Sequence, residues 1–198
     1  LAKKDKDIIL LTADLGFGIF DEFEKRLPCQ YINVGISEQN MTGLATGLAI
    51  EGKKVVTYSI GNFPTFRCLE QLRNDACYHE VNLTVVASGG GYSYGQLGYS
   101  HHATEDISVM RSMPNTNVVA PCSDWEAENV IMSLIYEKGV GYLRLDKTYI
   151  DSQKYNFDKF NLFRAKRYKD GSDVTLIATG GIVREALKAS EILEELNI

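Results

Sequence analysis

The sequence predicts a three-layer α/β domain, with a sheet of about six mainly parallel strands and helices on both faces. A continuous apolar run of strand length at residues 8–13 favours this fold, because strands of a parallel sheet are covered on both faces. Residues 55–59 and 83–88 also predict strands. Helical segments at 37–52 and 63–78 separate these segments, so strands and helices alternate along the chain. Ligands of such sheets bind at the carboxyl ends of the strands, and we expect the functional site there.

Shorter elements complete the alternation. The sequence predicts, in order, a weak helix at 18–26, a strand at 31–34, a helix at 105–113, a strand at 118–120, a helix from 123 to about 137 and a strand at 141–145. Ser123 and Glu126 have the spacing of a capping box at the start of the last helix. Residues 89–102 contain five glycines and no periodicity, and a loop of this length in a compact domain is commonly functional.

Composition excludes several classes of protein. The chain has 198 residues, of which 44% are hydrophobic and 24% charged, with a net charge of -5, as in a globular domain. Its basic residues are scattered, which argues against nucleic acid as a partner. No apolar run approaches the roughly 18 residues that a membrane span requires. With no charged and apolar leader in view, we expect a cytoplasmic protein.

The four cysteines predict buried, reduced thiols rather than a metal site. Cys29, Cys68, Cys77 and Cys122 form no Cys-x-x-Cys pair. Cys68 and Cys77 would point to opposite sides of one predicted helix. We therefore expect no metal ligands in this chain and a reduced, cytosolic core.

The last part of the chain predicts a change of domain. Residues 1–147 form one domain, and 148–172, polar and aromatic without a clear period, form a linker. Residues 173–179 then predict a strand, and Gly180-Gly181 opens an amphipathic helix. Since one strand and one helix cannot bury a core, residues 173–198 are expected to be the truncated start of a second domain.

The stretch at 33–49, NVGISEQNMTGLATGLA, is the most informative in the chain. Ser37 is placed to cap a helix, and Glu38 lies in its first turn. Gly43 and Gly47 share one face, where another element could approach the backbone closely. The pattern predicts a small-faced helix with an acid at its start.

This stretch, with EQLRND at 70–75 and HHATEDISVMRSMPNTNVVAP at 101–121, resembles the pyrimidine-binding domain of thiamine-diphosphate enzymes of the transketolase family. The resemblance covers roughly residues 7–147. It is closest to the C-terminal halves that some organisms make as separate transketolase subunits, and residues beyond it look like the start of the family's C-terminal domain. It implies thiamine-diphosphate-dependent transfer of a two-carbon ketol unit between sugar phosphates.

The resemblance also implies roles for individual residues. Glu38 matches the glutamate that hydrogen-bonds the ring nitrogen of the cofactor's aminopyrimidine and favours the imino tautomer that activates the thiazolium ring. His101 matches a histidine that contacts the substrate and assists proton transfer. Phe63 and Phe66 match aromatic residues that stack on the pyrimidine, while Ile60 replaces a usual aromatic and offers an apolar contact.

Further matches concern the rim of the site. Asp14 matches an acid near the cofactor, and Arg144 matches an arginine that binds the phosphate end of the sugar. Ser88, a candidate substrate-binding residue, stands where the family often has a histidine. Leu97 replaces an acid that reads a substrate hydroxyl, and His102 stands where glutamine is more usual. The changes at Ser88 and Leu97 indicate a less usual substrate or a site completed differently.

A Gly-Asp-Gly motif, which in the family belongs to a separate domain that holds the diphosphate and its metal ion, does not occur in this chain. The resemblance therefore implies that this chain supplies half a site. Its expected partners are a second copy in a homodimer, an N-terminal diphosphate-binding domain or subunit, or both. That partner would hold Mg²⁺ or Ca²⁺ with the diphosphate.

Three alternatives stay open from the sequence. Deoxyxylulose-phosphate synthase has similar chemistry. The β subunit of the decarboxylase of a 2-oxoacid dehydrogenase shares the His-His pair and a loop without an acid. A non-catalytic dimerisation module would keep the fold without the chemistry, and the presence of Glu38 argues against it.

Overall fold

The computed structural model describes residues 1–155 and 159–198. Six strands form one all-parallel sheet in the order β2-β1-β3-β4-β6-β5. They are β1 (Ile8–Thr12), β2 (Tyr31–Asn33), β3 (Lys54–Ile60), β4 (Leu83–Ser88), β5 (Thr116–Val119) and β6 (Val140–Leu145). The predicted α/β fold with a parallel sheet is confirmed.

Six α-helices accompany these strands in the described part of the chain. They are α1 (Asp21–Arg26), α2 (Glu38–Ile50), the single turn α3 (Leu69–Gln71), α4 (Asp106–Arg111), α5 (Asp124–Leu134) and α6 (Val183–Glu195). One core contains side chains of α2, the 66–77 segment and α4. A second core, on the opposite face of the sheet, contains side chains of α5 with partly buried residues of α1. Adjacent β1 residues divide between the two cores, which explains why that strand is apolar throughout.

The helix predicted at 63–78 is wrong as a continuous α-helix. A 3₁₀ turn at Phe66–Cys68 precedes α3, and a π-helical turn at Leu72–Cys77 follows it. The Thr65 hydroxyl donates to the carbonyls of Gly61 and Asn62, which favours a turn over helix initiation at 63. Because the helical pitch changes, Cys68 and Cys77 both enter the first core instead of facing opposite sides.

The four cysteines are free thiols, and three of them are buried as predicted. Cys29 is the exception, because it lies exposed in the short 3₁₀ turn Pro28–Gln30. In the described residues, no helix has the length and apolarity needed to cross a bilayer.

The strand predicted at 173–179 does not form within the described part of the chain. The segment is exposed, with Ile177 at 93%, and pairs with none of the six strands. A strand needs a neighbour for its backbone N–H and C=O groups, and this run has none there. The helix predicted after it is confirmed as α6. The division into domains at 147 and 172 stays a prediction.

The segment predicted as a linker at 148–172 contacts the domain at several points, although most of residues 161–172 are exposed. The backbone N–H of Ile150 donates to the Cys122 carbonyl at 2.8 Å. The Tyr168 hydroxyl donates to Glu126 at 2.9 Å. Phe160 and Leu162 contact the second core. Residues 156–158 of this predicted linker lie outside the described residues.

Candidate active site

The sheet reverses its winding direction between β1 and β3. Strand β2 lies on one side of β1, and β3, β4 and later strands lie on the other. In such sheets the crevice at the carboxyl ends of the two strands at the reversal is the usual ligand site. Helix α2, which connects β2 to β3, begins at this edge with Glu38.

Glu38 is buried at the start of α2. Its side chain is 4% exposed, and its Oε2 accepts a hydrogen bond from Nη1 of Arg67 at 2.7 Å. The predicted cap by Ser37 is wrong, because its hydroxyl donates to the Val34 carbonyl at 3.0 Å instead. With ψ at 71°, Ser37 lacks the extended backbone that turns a cap hydroxyl toward the helix. Ser123, at ψ 163°, has that geometry and accepts from the Glu126 N–H as predicted.

Arg67 is the residue of this site that sequence reasoning missed. Its guanidinium carbon lies 4.4 Å from the centroid of the Phe63 ring while it bonds Glu38. Its side chain is 46% exposed, so the arginine end of this ion pair faces solvent. The sequence could have pointed to Arg67 only through its position, directly after Phe66 in the segment that follows β3.

Phe63 connects this ion pair to His101. The two ring centroids are 5.2 Å apart in an edge-to-face arrangement, and Tyr94 lies 6.1 Å from His101 on another side. The Ser100 hydroxyl is 3.0 Å from Nδ1 of His101. The structure therefore brings together Glu38, Phe63 and His101, three residues that the sequence assigns to one site.

Ile60 and Phe66 lie close by in the chain. Ile60 ends β3 and its carbonyl accepts the N–H of Phe63. Phe66 begins the 3₁₀ turn that presents Arg67, and both apolar side chains are half-buried. Burial of the neighbouring Cys68 raises the pKa of its thiol, and the charge of Glu38 raises that pKa further. Cys68 is therefore a core residue rather than a nucleophile.

Asp14 is tied to β2 rather than to Glu38. Its N–H donates to Oδ1 of Asn33 at 3.0 Å, and Nδ2 of Asn33 donates to its carboxylate at 3.4 Å. Its φ of 55° is in the left-handed region, which Asp tolerates better than most residues. Asp14 thus fixes the ends of β1 and β2 at the edge of the crevice.

Arg144 lies in β6 and is enclosed by acids. Its side chain is 15% exposed, with Nε 3.1 Å from Asp106 and Nη1 3.6 Å from Asp146. The Asp106 side chain is 1% exposed and also accepts the Tyr142 hydroxyl at 2.7 Å. Burial, then the charge of Asp106, raises the pKa of Tyr142 well above its usual value, so the hydroxyl stays a donor.

The glycines of the 89–102 loop make room for two large side chains. A Cβ on Gly90 would lie 1.9 Å from Nε of Arg144, and one on Gly89 would lie 2.2 Å from a ring carbon of Tyr94. Nζ of Lys147 lies 3.7 Å above the Tyr94 ring. The loop therefore packs directly on Arg144 and Tyr94, which explains its glycine content.

A cleft of about 320 Å³ opens beside Arg144. Ser93, Lys147 and Arg184 are among the side chains that line it. It reaches the start of α6, where the Gly181 N–H donates to the Asp146 carboxylate at 2.7 Å. Asp146 and Glu185 also line the cleft, so its three cations lie beside two acids. The guanidinium groups are the side chains there that suit the anionic end of a small molecule.

Three of the positions that depart from the family pattern, Ser88, Leu97 and His102, lie at the end of β4 or in the 89–102 loop that follows it. Ser88 ends β4, half-buried, and its carbonyl accepts the Gly61 N–H at 2.8 Å. Leu97 is exposed. His102 donates from Nε2 to the Gly95 carbonyl at 2.9 Å, and its ring meets that of Tyr92. His102 therefore shapes the loop.

Comparison with known proteins matches the whole sheet-containing domain to a known family. The family described as transketolase, pyrimidine binding domain, matches residues 1–151. An apulose-4-phosphate transketolase subunit of Phocaeicola vulgatus is 36% identical over 200 residues, covering 100% of this chain and 64% of that relative. The 6-deoxy-6-sulfo-D-fructose transketolase subunit SqwH of a Clostridium strain is 35% identical over 196 residues, covering 97% and 60%.

A solved structure of a split gene transketolase, an inactive beta4 tetramer, has a TM-score of 0.88 at 31% identity, covering 100% of this chain and 64% of that one. This chain thus spans less than two thirds of the relatives it matches. The matched region contains all six strands and every candidate residue from Asp14 to Arg144. The chain belongs to the transketolase family, through its pyrimidine-binding domain.

Proposed function

We propose that this chain supplies the aminopyrimidine-activating half of a thiamine-diphosphate site that transfers a two-carbon ketol unit between sugar or sugar-phosphate substrates. One observation carries the proposal. A buried carboxylate, Glu38, begins α2 at the winding reversal of the sheet and is linked through Arg67 and Phe63 to His101.

The side chains fit the aminopyrimidine. An aminopyrimidine needs a hydrogen-bonding acid at its ring nitrogen and a flat apolar surface for its ring. Glu38 offers a desolvated carboxyl, and Phe63 offers a ring that contacts the same Arg67 guanidinium. Ile60 and Phe66 add apolar surface nearby, and Asp14 fixes the rim. When bound, thiamine diphosphate supplies the carbon nucleophile and electron sink that this chemistry needs.

The remaining steps are assigned to this chain's own side chains. Glu38 holds the proton at the pyrimidine nitrogen. His101, oriented by Ser100 at Nδ1, donates and accepts protons at a substrate oxygen through Nε2. Arg144 binds the anionic end of the substrate in the cleft, with Ser88 near the reacting end. Leu97 in place of an acid favours a substrate other than the usual pentose phosphates.

The partner is proposed to be a diphosphate-binding domain or subunit, in an assembly that includes a homodimer of this chain. It would hold the diphosphate with Mg²⁺ or Ca²⁺, and this chain without it is expected to be inactive. Exposed apolar side chains in the segments before α1 and α2, Phe17, Ile19 and Ile36, support contact with a partner there. A Cβ added at Gly43 or Gly47 would have nothing of the described chain within 4 Å, so we assign the close approach predicted there to a partner.

The test is turnover by the full-length protein assembled with its diphosphate-binding partner. Glu38→Gln should reduce ketol transfer by at least about 100-fold, because proton transfer through the acid is lost. Glu51→Gln, at the exposed end of the same helix, is the matched control and should leave turnover unchanged. Undiminished transfer by Glu38→Gln would overturn the assignment. Decarboxylation of 2-oxoacids without ketol transfer would instead identify the 2-oxoacid dehydrogenase class.

A further inference from the structure

Arg67 makes two contacts at once, and both are with residues that the proposed function assigns to the aminopyrimidine. Its Nη1 donates to Oε2 of Glu38 at 2.7 Å. Its guanidinium carbon is 4.4 Å from the centroid of the Phe63 ring. The Arg67 side chain therefore occupies both the hydrogen-bonding oxygen of Glu38 and one face of the Phe63 ring.

A guanidinium resembles an aminopyrimidine in the interactions it can make. Both are planar and delocalised, both donate N–H groups in their plane, and both stack on aromatic rings. A carboxylate and a phenyl ring arranged to hold one of them are also arranged to hold the other. Because the Arg67 group lies over Phe63 and against Oε2, a second planar group cannot use that ring face and that oxygen together.

We propose that Arg67 is an internal ligand of the pyrimidine position, which the cofactor must displace when it binds. The inference rests on the proposed function, since it concerns the same residues. It adds a residue of this chain that lowers the affinity of the assembled site for the cofactor.

The exposure of the two partners supports displacement. The Arg67 side chain is 46% exposed and Glu38 is 4% exposed. The arginine can therefore move into solvent, where its charge is well hydrated. A buried carboxylate without a partner is costly, so Glu38 needs Arg67 until another hydrogen-bonding group arrives. The pair thus has one fixed member and one exchangeable member.

The test is calorimetric titration of the full-length protein, assembled with its diphosphate-binding partner, with thiamine diphosphate and Mg²⁺. Arg67→Met removes the planar group and its charge at similar length. If Arg67 occupies the position in about nine of ten molecules, this change lowers the Kd about tenfold. Arg73→Met is the matched control, because Arg73 is exposed and bonds its neighbour Asn74. Its Kd should equal that of the wild type.

Arg67→Lys keeps the charge but not the planar fork, so its Kd should fall between those of the wild type and Arg67→Met. This variant also serves if Arg67→Met does not fold. An unchanged or higher Kd in the folded variants would overturn the inference while leaving the proposed function intact. Failure of the wild-type assembly to bind the cofactor would overturn the proposed function instead.

Discussion

Two arginine–carboxylate pairs lie at the carboxyl edge of the same sheet, and they differ in which partner meets solvent. In the Glu38–Arg67 pair the acid is buried and the arginine is nearly half exposed. In the Asp106–Arg144 pair both partners are enclosed. From this contrast we infer that the Glu38–Arg67 pair can exchange its cation for a ligand, whereas the Asp106–Arg144 pair holds its cation in a fixed place.

The surroundings of the two acids explain the contrast. Among the described residues, Asp106 accepts the Tyr142 hydroxyl and faces Arg144, and the Gly90 backbone closes over that guanidinium. Glu38 has Arg67 as its side-chain partner there. An exchangeable pair suits the proposed cofactor position, and a fixed pair suits a site that selects an anionic end.

Breaking the enclosed pair should have the largest effect. Asp106→Ala leaves Arg144 without its closest acid and Tyr142 without an acceptor, and should lower the free energy of unfolding by about 3 kcal/mol. Arg67→Met leaves one buried group, Glu38, without its partner and should lower it by a smaller amount, about 1.5 kcal/mol, because removing a side chain that is 46% exposed lets water reach the carboxylate. Urea unfolding of both variants measures the difference.

Asp170→Ala is the control for this comparison. Asp170 pairs with Arg167 on the surface, and the change should leave the unfolding midpoint where it is. Equal losses in Asp106→Ala and Arg67→Met would show that the two pairs do not differ as the structure indicates.

Crowding the enclosed pair should have a smaller effect. In Gly90→Ala the new methyl group would meet Nε of Arg144 at 1.9 Å, so the arginine or the loop must shift. We expect a loss of about 2 kcal/mol in the free energy of unfolding. Gly43→Ala, where a methyl group would meet nothing within 4 Å, should instead stabilise α2 by up to about 1 kcal/mol. A harmless Gly90→Ala would argue against close packing of the loop on Arg144.

Much of this fold was predictable, because burial on both faces leaves a direct trace in the sequence. The apolar run at β1 and the segments at β3 and β4 predict strands, and the structure confirms them. The alternation of elements also predicted a site at the carboxyl edge, and the structure links Glu38 through Arg67 and Phe63 to His101 there. The run at 173–179 misleads for the same reason: it has the composition of a strand without a neighbour to pair with in the described chain.

The two ion pairs were less predictable than the strands. Arg67 is 29 residues from Glu38, and Asp106 is 38 from Arg144, so neither pair has a local pattern. The π-helical turn after α3 and the backbone of Ser37 depend on packing that local propensity does not describe. The interpretation of Arg144 as a phosphate ligand named the cation but not the acids that hold it.

The smallest expected effect is a pH dependence of the free energy of unfolding, and it comes from the buried thiol of Cys122. Burial raises the pKa of Cys122 to about 12, above the value of about 8.5 expected in the unfolded chain. The unfolded state therefore loses its thiol proton first as the pH rises, and the free energy of unfolding falls between about pH 9 and 12. The slope from this thiol is at most about 1.4 kcal/mol per pH unit.

Denaturant unfolding of Cys122→Ala at pH 8.5 and pH 10 should show a shallower fall than in the wild type. Cys29→Ala, a change at the exposed cysteine, should keep the wild-type slope. The same slope in Cys122→Ala would mean that this thiol is not buried as described.

The most direct measurement is a crystal structure of the full-length protein assembled with its diphosphate-binding partner, thiamine diphosphate and Mg²⁺. We predict that the Glu38 carboxyl lies about 3 Å from a pyrimidine ring nitrogen, with Phe63 against that ring and the Arg67 guanidinium moved toward solvent. A cofactor bound elsewhere, with Glu38 still paired to Arg67, would contradict the account.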